Sequence, residues 1–271
     1  MLGQYELNSF NVGGAYRFLR NQPDNSVPMF LFSPPYNLGV SSGGGVKRMH
    51  YNPSSGMAAR GGRGHWRNAA IANGYADHHD RMLPLAYKAQ QRTILRQCWR
   101  ALSDNGAIYY NHKPRIQNGI VQTPLDFNPG LPVRQIVIWA RNGGINFSPT
   151  YYVPTHEWIV IYAKPGFRLK SKSASAAGDV WYVPAEANTW HPAPFPLALA
   201  EIALETVMPS LVVDPYAGSG TVAVAAKKLG INYVCNELSP EYAGKAQARV
   251  NSVEMTPKLF DTYAEQQPLF A

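Results

Sequence analysis

The sequence predicts an α/β protein with a largely parallel, doubly wound sheet, Rossmann-like, and helices on both faces. Short apolar runs alternate with segments of helical apolar spacing along most of the 271 residues. One apolar run leads through a glycine-rich turn into a helix, as in parallel folds that bind ligands at strand ends. With 45% apolar residues, a chain of this length can bury one substantial core. We therefore expect residues 1–271 to form a single domain with loop insertions.

The predicted elements in the first half are bounded by turn-prone residues. Met29–Phe32 is a short apolar run that ends at two prolines, which indicates a buried strand leading into a stiff loop. Residues 41–80 are rich in glycine, serine and arginine and lack a regular period, so we predict an inserted loop. Leu85–Leu102 has helical spacing, and Asn105-Gly106 separates it from a strand at Ala107–Tyr110.

The second half continues the alternation of strands and helices. The predicted strands are Gln135–Ala140, Glu157–Ala163, Leu211–Val213 and Asn232–Cys235. The predicted helices are Leu197–Val207, the stretch after Gly220 as far as Leu229, and a final helix that begins at Ser239-Pro240. Residues 184–196 are irregular.

The charge of the chain suits a polyanionic partner. The formal net charge is +8 and the isoelectric point is near 9.4. Two acid-free stretches concentrate the cations. The first holds Lys47, Arg48, Arg60, Arg63 and Arg67, and the second holds Lys164, Arg168, Lys170 and Lys172. Either stretch is equally well explained as a solvated surface.

Cysteine usage and hydropathy narrow the class of protein. The two cysteines, Cys98 and Cys235, lie in apolar segments, so we expect reduced structural thiols and neither disulfides nor a zinc site. No segment approaches the roughly 20 apolar residues of a membrane span, and no signal peptide is predicted. We expect a cytoplasmic protein without a resident metal.

The turn from Asp214 to Thr221 is a candidate ligand-binding loop. Its sequence, Asp-Pro-Tyr-Ala-Gly-Ser-Gly-Thr, lies between a strand and a helix, where glycines let the backbone approach a ligand. Glu237 ends the next strand, where a carboxylate can accept hydrogen bonds from both ribose hydroxyls. The pair predicts an adenosine-containing ligand.

Two rival ligands fit this turn less well. Gly218, Gly220 and Ala223 match the pattern of a nicotinamide dinucleotide site, but too little sequence follows Glu237 for the second nucleotide-binding half. The chain has no Gly-x-x-x-x-Gly-Lys-Ser/Thr phosphate loop for ATP. A glycine turn that serves packing alone remains open.

The loop Ser33-Pro34-Pro35-Tyr36 is a candidate catalytic loop, with a proline-rich turn as the structural alternative. Prolines have no N–H group, so the loop is stiff and offers its carbonyls as acceptors. If Ser33 Oγ and a proline-loop carbonyl each accept one N–H of an aromatic amine, the nitrogen can pyramidalise and direct its lone pair at a methyl sulfonium. Tyr36 could stack on a base that has left the duplex.

Three motifs and their order along the chain resemble those of the amino-methylating DNA methyltransferases. The order matches the family's beta arrangement, in which the catalytic motif precedes the cofactor motif. The three motifs are Ser33–Gly39, His191-Pro192-Ala193-Pro194-Phe195-Pro196 and Asp214–Thr221. The resemblance covers nearly the whole chain. It implies a seven-stranded, mainly parallel sheet, base flipping, double-stranded DNA as substrate, and S-adenosylmethionine as donor with S-adenosylhomocysteine as product.

The resemblance also implies site residues. The expected catalytic residues are Ser33, Pro34, Pro35 and Tyr36. The expected cofactor contacts are Asn37, His191, Pro192, Phe195, Asp214, Pro215, Tyr216, Gly218, Ser219, Gly220, Thr221 and Glu237. Two positions depart from the family pattern, because Phe195 replaces a common lysine and Gly14 replaces a common acid.

The sequence leaves two target bases open and offers two stretches of expected DNA contacts. Serine at the head of the loop resembles enzymes of cytosine N4, whereas Asn37-Leu38-Gly39 is frequent among enzymes of adenine N6. The expected DNA contacts are Lys47, Arg48, Arg60, Arg63, Trp66 and Arg67 of the inserted loop, with Arg168, Lys170 and Lys172 of a short candidate target-recognition segment, residues 165–186. Relatives often dimerise, so a homodimer is open. An RNA methyltransferase or a catalytically silent DNA-binding module are the alternative candidates.

Overall fold

The computed structural model describes residues 1–37, 82–117, 119–141, 149–186 and 195–254. Within these ranges the protein has one eight-stranded sheet, five α-helices and a separate two-stranded hairpin. The strands of the large sheet are β1 (Ser9–Val12), β2 (Val27–Phe32), β3 (Leu102–His112), β6 (Val133–Ala140), β7 (His156–Ala163), β8 (Val180–Tyr182), β9 (Leu211–Asp214) and β10 (Asn232–Glu237). The hairpin is β4 (Arg115–Gln117) and β5 (Ile120–Gln122). The helices are α1 (Ala15–Arg20), α2 (Pro84–Ala101), α3 (Leu197–Val207), α4 (Thr221–Lys228) and α5 (Pro240–Asn251).

The large sheet is mostly parallel and has the strand order β1-β10-β9-β2-β3-β7-β6-β8. All pairs from β1 to β3 are parallel, and β8 is parallel to β6. Strand β7 alone runs against both of its neighbours. The carboxyl ends of the other strands therefore meet the amino end of β7 along one side of the sheet, called the upper edge below.

Helices cover both faces of the sheet, as the doubly wound prediction requires. One face packs against α3, α4 and α5 through an apolar cluster that includes Leu199, Val222 and Val250. The other face packs against α1 and α2 through a second cluster that includes Phe18 and Leu95. No helix in the described part of the chain is long and apolar enough to cross a membrane.

The sheet differs from the seven strands that the resemblance implies. The eighth strand, β8, adds to the outer side of β6, with Trp181 paired to Trp139 and its ring buried. The predicted turn at Asn105-Gly106 lies inside β3, at a register shift against β2. Gly106 is required there, because a Cβ atom would lie 2.8 Å from the Pro28 carbonyl oxygen.

Candidate active site

The two predicted loops leave neighbouring strands at the upper edge. Strand β2 ends at Phe32 and β9 at Asp214, and the two strands pair directly, with Phe30 opposite Val213. Behind the loops the rings of Phe32 and Tyr216 pack with centroids 5.9 Å apart. The Ser33 loop and the glycine turn therefore lie side by side.

Hydrogen bonds to its carbonyls fix the catalytic loop. Tyr87 of α2 donates to the Pro35 carbonyl at 2.7 Å. The buried guanidinium of Arg115 donates to the carbonyls of the next two residues at 2.8 and 3.0 Å and lies 5.5 Å from the Tyr87 ring centroid. No described residue donates to the carbonyl of Pro34. The loop is therefore held rigidly.

Asn37 closes the loop against the start of α2. Its backbone is in the left-handed region, with φ of 55°, which asparagine tolerates better than most residues. Its side chain accepts from the Met82 N–H at 2.6 Å and donates to the Met82 carbonyl at 2.8 Å. The Asn37 side chain, predicted to contact cofactor, is buried in this structural contact.

A polar network connects the catalytic loop to strands β3 and β7. Ser33 Oγ lies 2.6 Å from Tyr36 Oη, and Tyr36 donates to Glu157 Oε2 at 2.8 Å. The amide of Asn111 donates to Tyr36 Oη at 2.7 Å and to Glu157 Oε2 at 3.0 Å. Arg141 approaches the other carboxylate oxygen of Glu157 at 3.2 Å. A buried ion pair thus lies directly behind the proposed catalytic hydroxyls.

One side of the Tyr36 ring is backed by an uncharged imidazole. The ring centroids of Tyr36 and His112 are 4.6 Å apart, with an interplanar angle of 35°. Burial, with a smaller contribution from Arg115, lowers the pKa of His112 to about 3, against a hydrogen bond with the Lys113 carbonyl that raises it. His112 is therefore neutral at physiological pH, and its hydrogen bond with Tyr87 anchors it at 2.7 Å.

Cations and exposed aromatic rings share the upper edge. Lys113 follows β3, and burial lowers its pKa, an effect that Glu157 opposes and Arg141 reinforces. Tyr182 ends β8 and is 81% exposed, and Tyr152, shortly before β7, is 98% exposed. Positive charge beside exposed rings suits a nucleic acid, which offers phosphates and base faces.

The glycine turn is held closed by Glu237 at the end of β10. One carboxylate oxygen accepts from the Gly218 N–H at 2.8 Å and the other from the Ser239 N–H at 3.1 Å. Gly218 and Gly220 have φ of 51° and 76°, conformations that other residues rarely adopt. A Cβ atom on Gly220 would lie 2.9 Å from the Phe10 ring, so the turn has no room for a side chain.

Side chains of the turn are also fixed. Ser219 Oγ and Thr221 Oγ1 lie 3.1 Å apart, and Arg249 of α5 donates to the Ser219 carbonyl and to Thr221 Oγ1. Burial, with a smaller contribution from Glu237, raises the pKa of Asp214 to about 8, while a hydrogen bond from the Tyr216 N–H opposes the shift. Asp214 is therefore largely protonated at neutral pH in this state.

These residues fit an adenosine cofactor with a cationic end. Each Glu237 oxygen uses one lone pair on the turn and keeps another for a ribose hydroxyl. Gly220 packs so tightly against Phe10 and Ala246 that only a residue without a side chain fits at that position of the turn. A cation near Asp214 would lower the pKa of its carboxyl group and so favour the ionised form.

The remaining predicted cofactor contacts divide between described and undescribed parts of the chain. Phe195 precedes α3 and packs near the Trp139 ring at 6.3 Å between centroids, on the same face of the sheet as the glycine turn. Pro215 joins Asp214 to Tyr216 in the turn, and its carbonyl accepts from Asn236. His191 and Pro192 lie outside the described residues.

The structure does not bring the second basic stretch to the catalytic loop. Because β7 runs antiparallel, the chain leaves it at the side of the sheet opposite the upper edge, called the lower edge below. There the Lys164 N–H donates a hydrogen bond to the Gly106 carbonyl. Lys170 is bonded there to Thr206, at the end of α3. The eight residues of β7 span about 23 Å, so this part of the recognition segment, Arg168, Lys170 and Lys172, lies across the sheet from Ser33. Tyr182, near the end of that segment, does reach the upper edge.

The DNA contacts predicted in the inserted loop, Lys47, Arg48, Arg60, Arg63, Trp66 and Arg67, lie outside the described residues. The structure adds residues to the site that were not predicted: Tyr87, Asn111, His112, Lys113, Arg115, Arg141 and Glu157. A usable signal existed for two of them, because Asn111 and His112 are polar residues directly after the apolar run Ala107–Tyr110. Polar residues at that point reach the edge where parallel strands end. Among the described residues no cluster of histidine, cysteine or carboxylate side chains could hold a metal ion.

The strand order, the glycine turn and the acidic end of β10 define the class: an α/β protein with the S-adenosylmethionine-dependent methyltransferase fold. The profile of the N6/N4 DNA methylase family matches residues 27–248, so the chain belongs to that family of DNA amino-methyltransferases. This confirms the resemblance seen in the motif order.

The sequence relatives agree with this membership, and the solved structures agree with the fold. The chain is 27% identical over 282 residues to the Type II methyltransferase M2.MboI of Moraxella bovis, covering 95% of this chain and 93% of the relative. Among solved structures, PvuII DNA methyltransferase, described as cytosine-N4-specific, has a TM-score of 0.64 at 16% identity, covering 94% of this chain and 91% of that one. A DNA modification methylase of Thermus thermophilus, TTHA0409, complexed with S-adenosylmethionine, has a TM-score of 0.57 at 22% identity, covering 89% and 92%.

Proposed function

We propose that the chain transfers a methyl group from S-adenosylmethionine to the exocyclic amine of a flipped base in double-stranded DNA, with cytosine N4 as the target. The observation that carries the proposal is the pair of acceptors at the catalytic loop. Ser33 Oγ and the Pro34 carbonyl are adjacent in sequence, and no described residue donates to that carbonyl. Two acceptors are what an amine with two hydrogens requires.

The acceptors explain how a weak nucleophile becomes reactive. The lone pair of an aromatic amine is delocalised into its ring, so the nitrogen must pyramidalise before it can attack. Accepting one hydrogen at Ser33 and one at Pro34 holds the nitrogen in that geometry and stabilises the positive charge that develops on it. Arg115 and Tyr87 hold the loop rigid, which keeps this geometry in place before the base arrives.

The glycine turn holds the donor. S-adenosylmethionine supplies a methyl group on a positively charged sulfonium. The residues that would hold it are Glu237, whose remaining lone pairs can accept the ribose hydroxyls, and Gly218 and Gly220, whose positive φ shapes the turn that begins at Asp214. The pairing of β2 with β9 brings this turn beside the catalytic loop, which supports transfer between the two.

The upper edge receives the flipped base and the duplex. The Tyr36 ring lies against neutral His112 at the catalytic loop, where a flipped base would stack on aromatic side chains. Lys113 and Arg141 add positive charge at the same edge, and Tyr182 exposes a ring there. Serine at position 33 supports cytosine, and the same two acceptors serve adenine N6, which is the alternative target.

The test of the catalytic loop is Ser33→Ala. The substitution removes an acceptor that matters most as charge develops on the amine, so turnover should fall while the dissociation constant of S-adenosylmethionine stays nearly unchanged. Calorimetry gives the affinity, and transfer of a labelled methyl group to unmethylated duplex DNA gives the rate. RNA in place of DNA is the control substrate. Label on RNA and none on DNA would contradict the proposal, as would equal loss of binding and turnover.

A further inference from the structure

We infer that Glu157 sets the direction of the hydrogen bonds through Tyr36 and thereby makes Ser33 an obligate acceptor toward the amine. Glu157 is on β7, outside every motif of the sequence, and its side chain is only 6% exposed. The inference rests on the role proposed for Ser33 and adds a positioning residue that acts on it through Tyr36.

The first step is the fate of the Tyr36 proton. A carboxylate can only accept hydrogen bonds, and Arg141 Nη1 lies 3.2 Å from Oε1 of Glu157 as its ion-pair partner. Oε2 already accepts from Asn111 at 3.0 Å and lies 2.8 Å from Tyr36 Oη. Tyr36 has a single hydroxyl proton, so it must donate that proton to Glu157.

The second step is the fate of the Ser33 proton. Ser33 Oγ and Tyr36 Oη are 2.6 Å apart, so one of the two must donate to the other. Because the Tyr36 proton is committed to Glu157, Ser33 donates and Tyr36 accepts. Ser33 then presents only lone pairs to the substrate. It cannot donate to the amine nitrogen, whose own lone pair has to remain available for attack.

The orientation of the Asn111 amide supports this direction. Its Nδ2 contacts Glu157 Oε2, Tyr36 Oη and, at 3.4 Å, Ser33 Oγ, while its Oδ1 is buried with no partner among the described residues. Turning the amide over would place an acceptor against the carboxylate. The amide therefore donates into the network, and the Tyr36 oxygen accepts from two sides and donates once, to Glu157.

Glu157→Gln tests the inference with little change of shape. The glutamine amide can donate to Tyr36 Oη, which frees the tyrosine proton for Ser33 and lets Ser33 donate to the amine. We expect the single-turnover rate of DNA methylation to fall about tenfold, the loss of one well-placed hydrogen bond. The affinity for S-adenosylmethionine, measured by calorimetry, should stay within about twofold.

A double-mutant cycle separates positioning from a general structural effect. Tyr36→Phe keeps the ring for stacking and removes the hydroxyl, so it should slow transfer by a similar factor. In that background Glu157→Gln should cause almost no further loss, because Glu157 acts through the missing hydroxyl. Glu201→Gln, which removes a remote ion pair with Lys228, is the matched control and should keep the wild-type rate.

Each outcome decides the inference. A wild-type rate in Glu157→Gln, or the same loss in both backgrounds, overturns it. Circular dichroism and thermal melts check folding, and if Glu157→Gln does not fold, Tyr36→Phe decides alone, since a full rate there also overturns the inference. Loss of activity in Ser33→Ala together with full activity in Glu157→Gln would leave the proposed function intact and remove only the role of Glu157.

Discussion

Substitution of Gly220 by alanine tests whether the glycine turn is as tight as the structure makes it. Gly220 has φ of 76°, and a Cβ atom there would lie 2.9 Å from Phe10 Cζ and 3.0 Å from Ala246 Cβ. The left-handed backbone costs a residue with a side chain about 1–2 kcal/mol. The two contacts add about 1–3 kcal/mol, because the Phe10 ring can move slightly but helix α5, which carries Ala246, cannot.

Gly230→Ala is the matched control for Gly220→Ala. Gly230 also has positive φ, 66°, but a Cβ atom on it would meet nothing within 4 Å. It should therefore show only the backbone cost, and the difference between the two variants, about 1–3 kcal/mol in the free energy of unfolding, isolates the steric cost. Urea titrations measure the difference.

Gly220→Ala should also weaken S-adenosylmethionine binding. The added methyl group displaces the turn from the position that Glu237 holds, so the affinity measured by calorimetry should drop by about tenfold or more, equivalent to at least about 1.4 kcal/mol. Gly230→Ala should bind normally, since Gly230 follows α4 at the far end from the turn. Equal stability of the two alanine variants, or unchanged cofactor binding in Gly220→Ala, would refute this reasoning.

Three further predictions concern single side chains. Burial raises the pKa of Asp214 to about 8, so the native state keeps a proton that the unfolded chain loses near pH 4, and the free energy of unfolding should fall as pH rises from about 4 to about 8. Urea titrations across this pH range should show the fall in the free energy of unfolding for the wild type, and Asp214→Asn should not show it. Arg115→Met removes the hydrogen bonds that Arg115 donates to two loop carbonyls, and it should lower methylation turnover by about tenfold or more. The affinity for S-adenosylmethionine, measured on the same variant, should stay unchanged. Tyr182→Ala should raise the KM for DNA in steady-state assays, while Lys170→Ala, at the lower edge, should leave that KM unchanged.

Local signals predicted the elements that form the cofactor half of the site. Helix α3 has the predicted bounds, and the turn after Leu211–Asp214 opens α4 as expected. The glycine turn needs glycine because its φ is positive, and α5 begins with proline. Both depend on residues inside the short segment itself, so both can be predicted from the local sequence. Strand β8 was missed because its three residues become a strand only through pairing with β6.

The direction of β7 explains both why Glu157 was not predicted and where the second basic stretch lies. Glu157 is the second residue of that strand, and nothing in its neighbours reveals that the strand runs antiparallel. That reversal brings Glu157 to the catalytic loop and sends the following Arg168, Lys170 and Lys172 to the opposite edge. Strand direction depends on long-range pairing with β3 and β6, which the local pattern does not encode.

The most direct test of the central claim is the identity of the methylated nucleoside. Duplex DNA without prior methylation is incubated with the protein and S-adenosylmethionine, digested to nucleosides and analysed by mass spectrometry. If the Ser33 loop and the glycine turn form one methyl-transfer site, N4-methylcytosine accumulates, or N6-methyladenine if the alternative target holds, and Ser33→Ala forms far less. A methyl group on cytosine C5, or none on either amine while S-adenosylmethionine binds, would contradict the account.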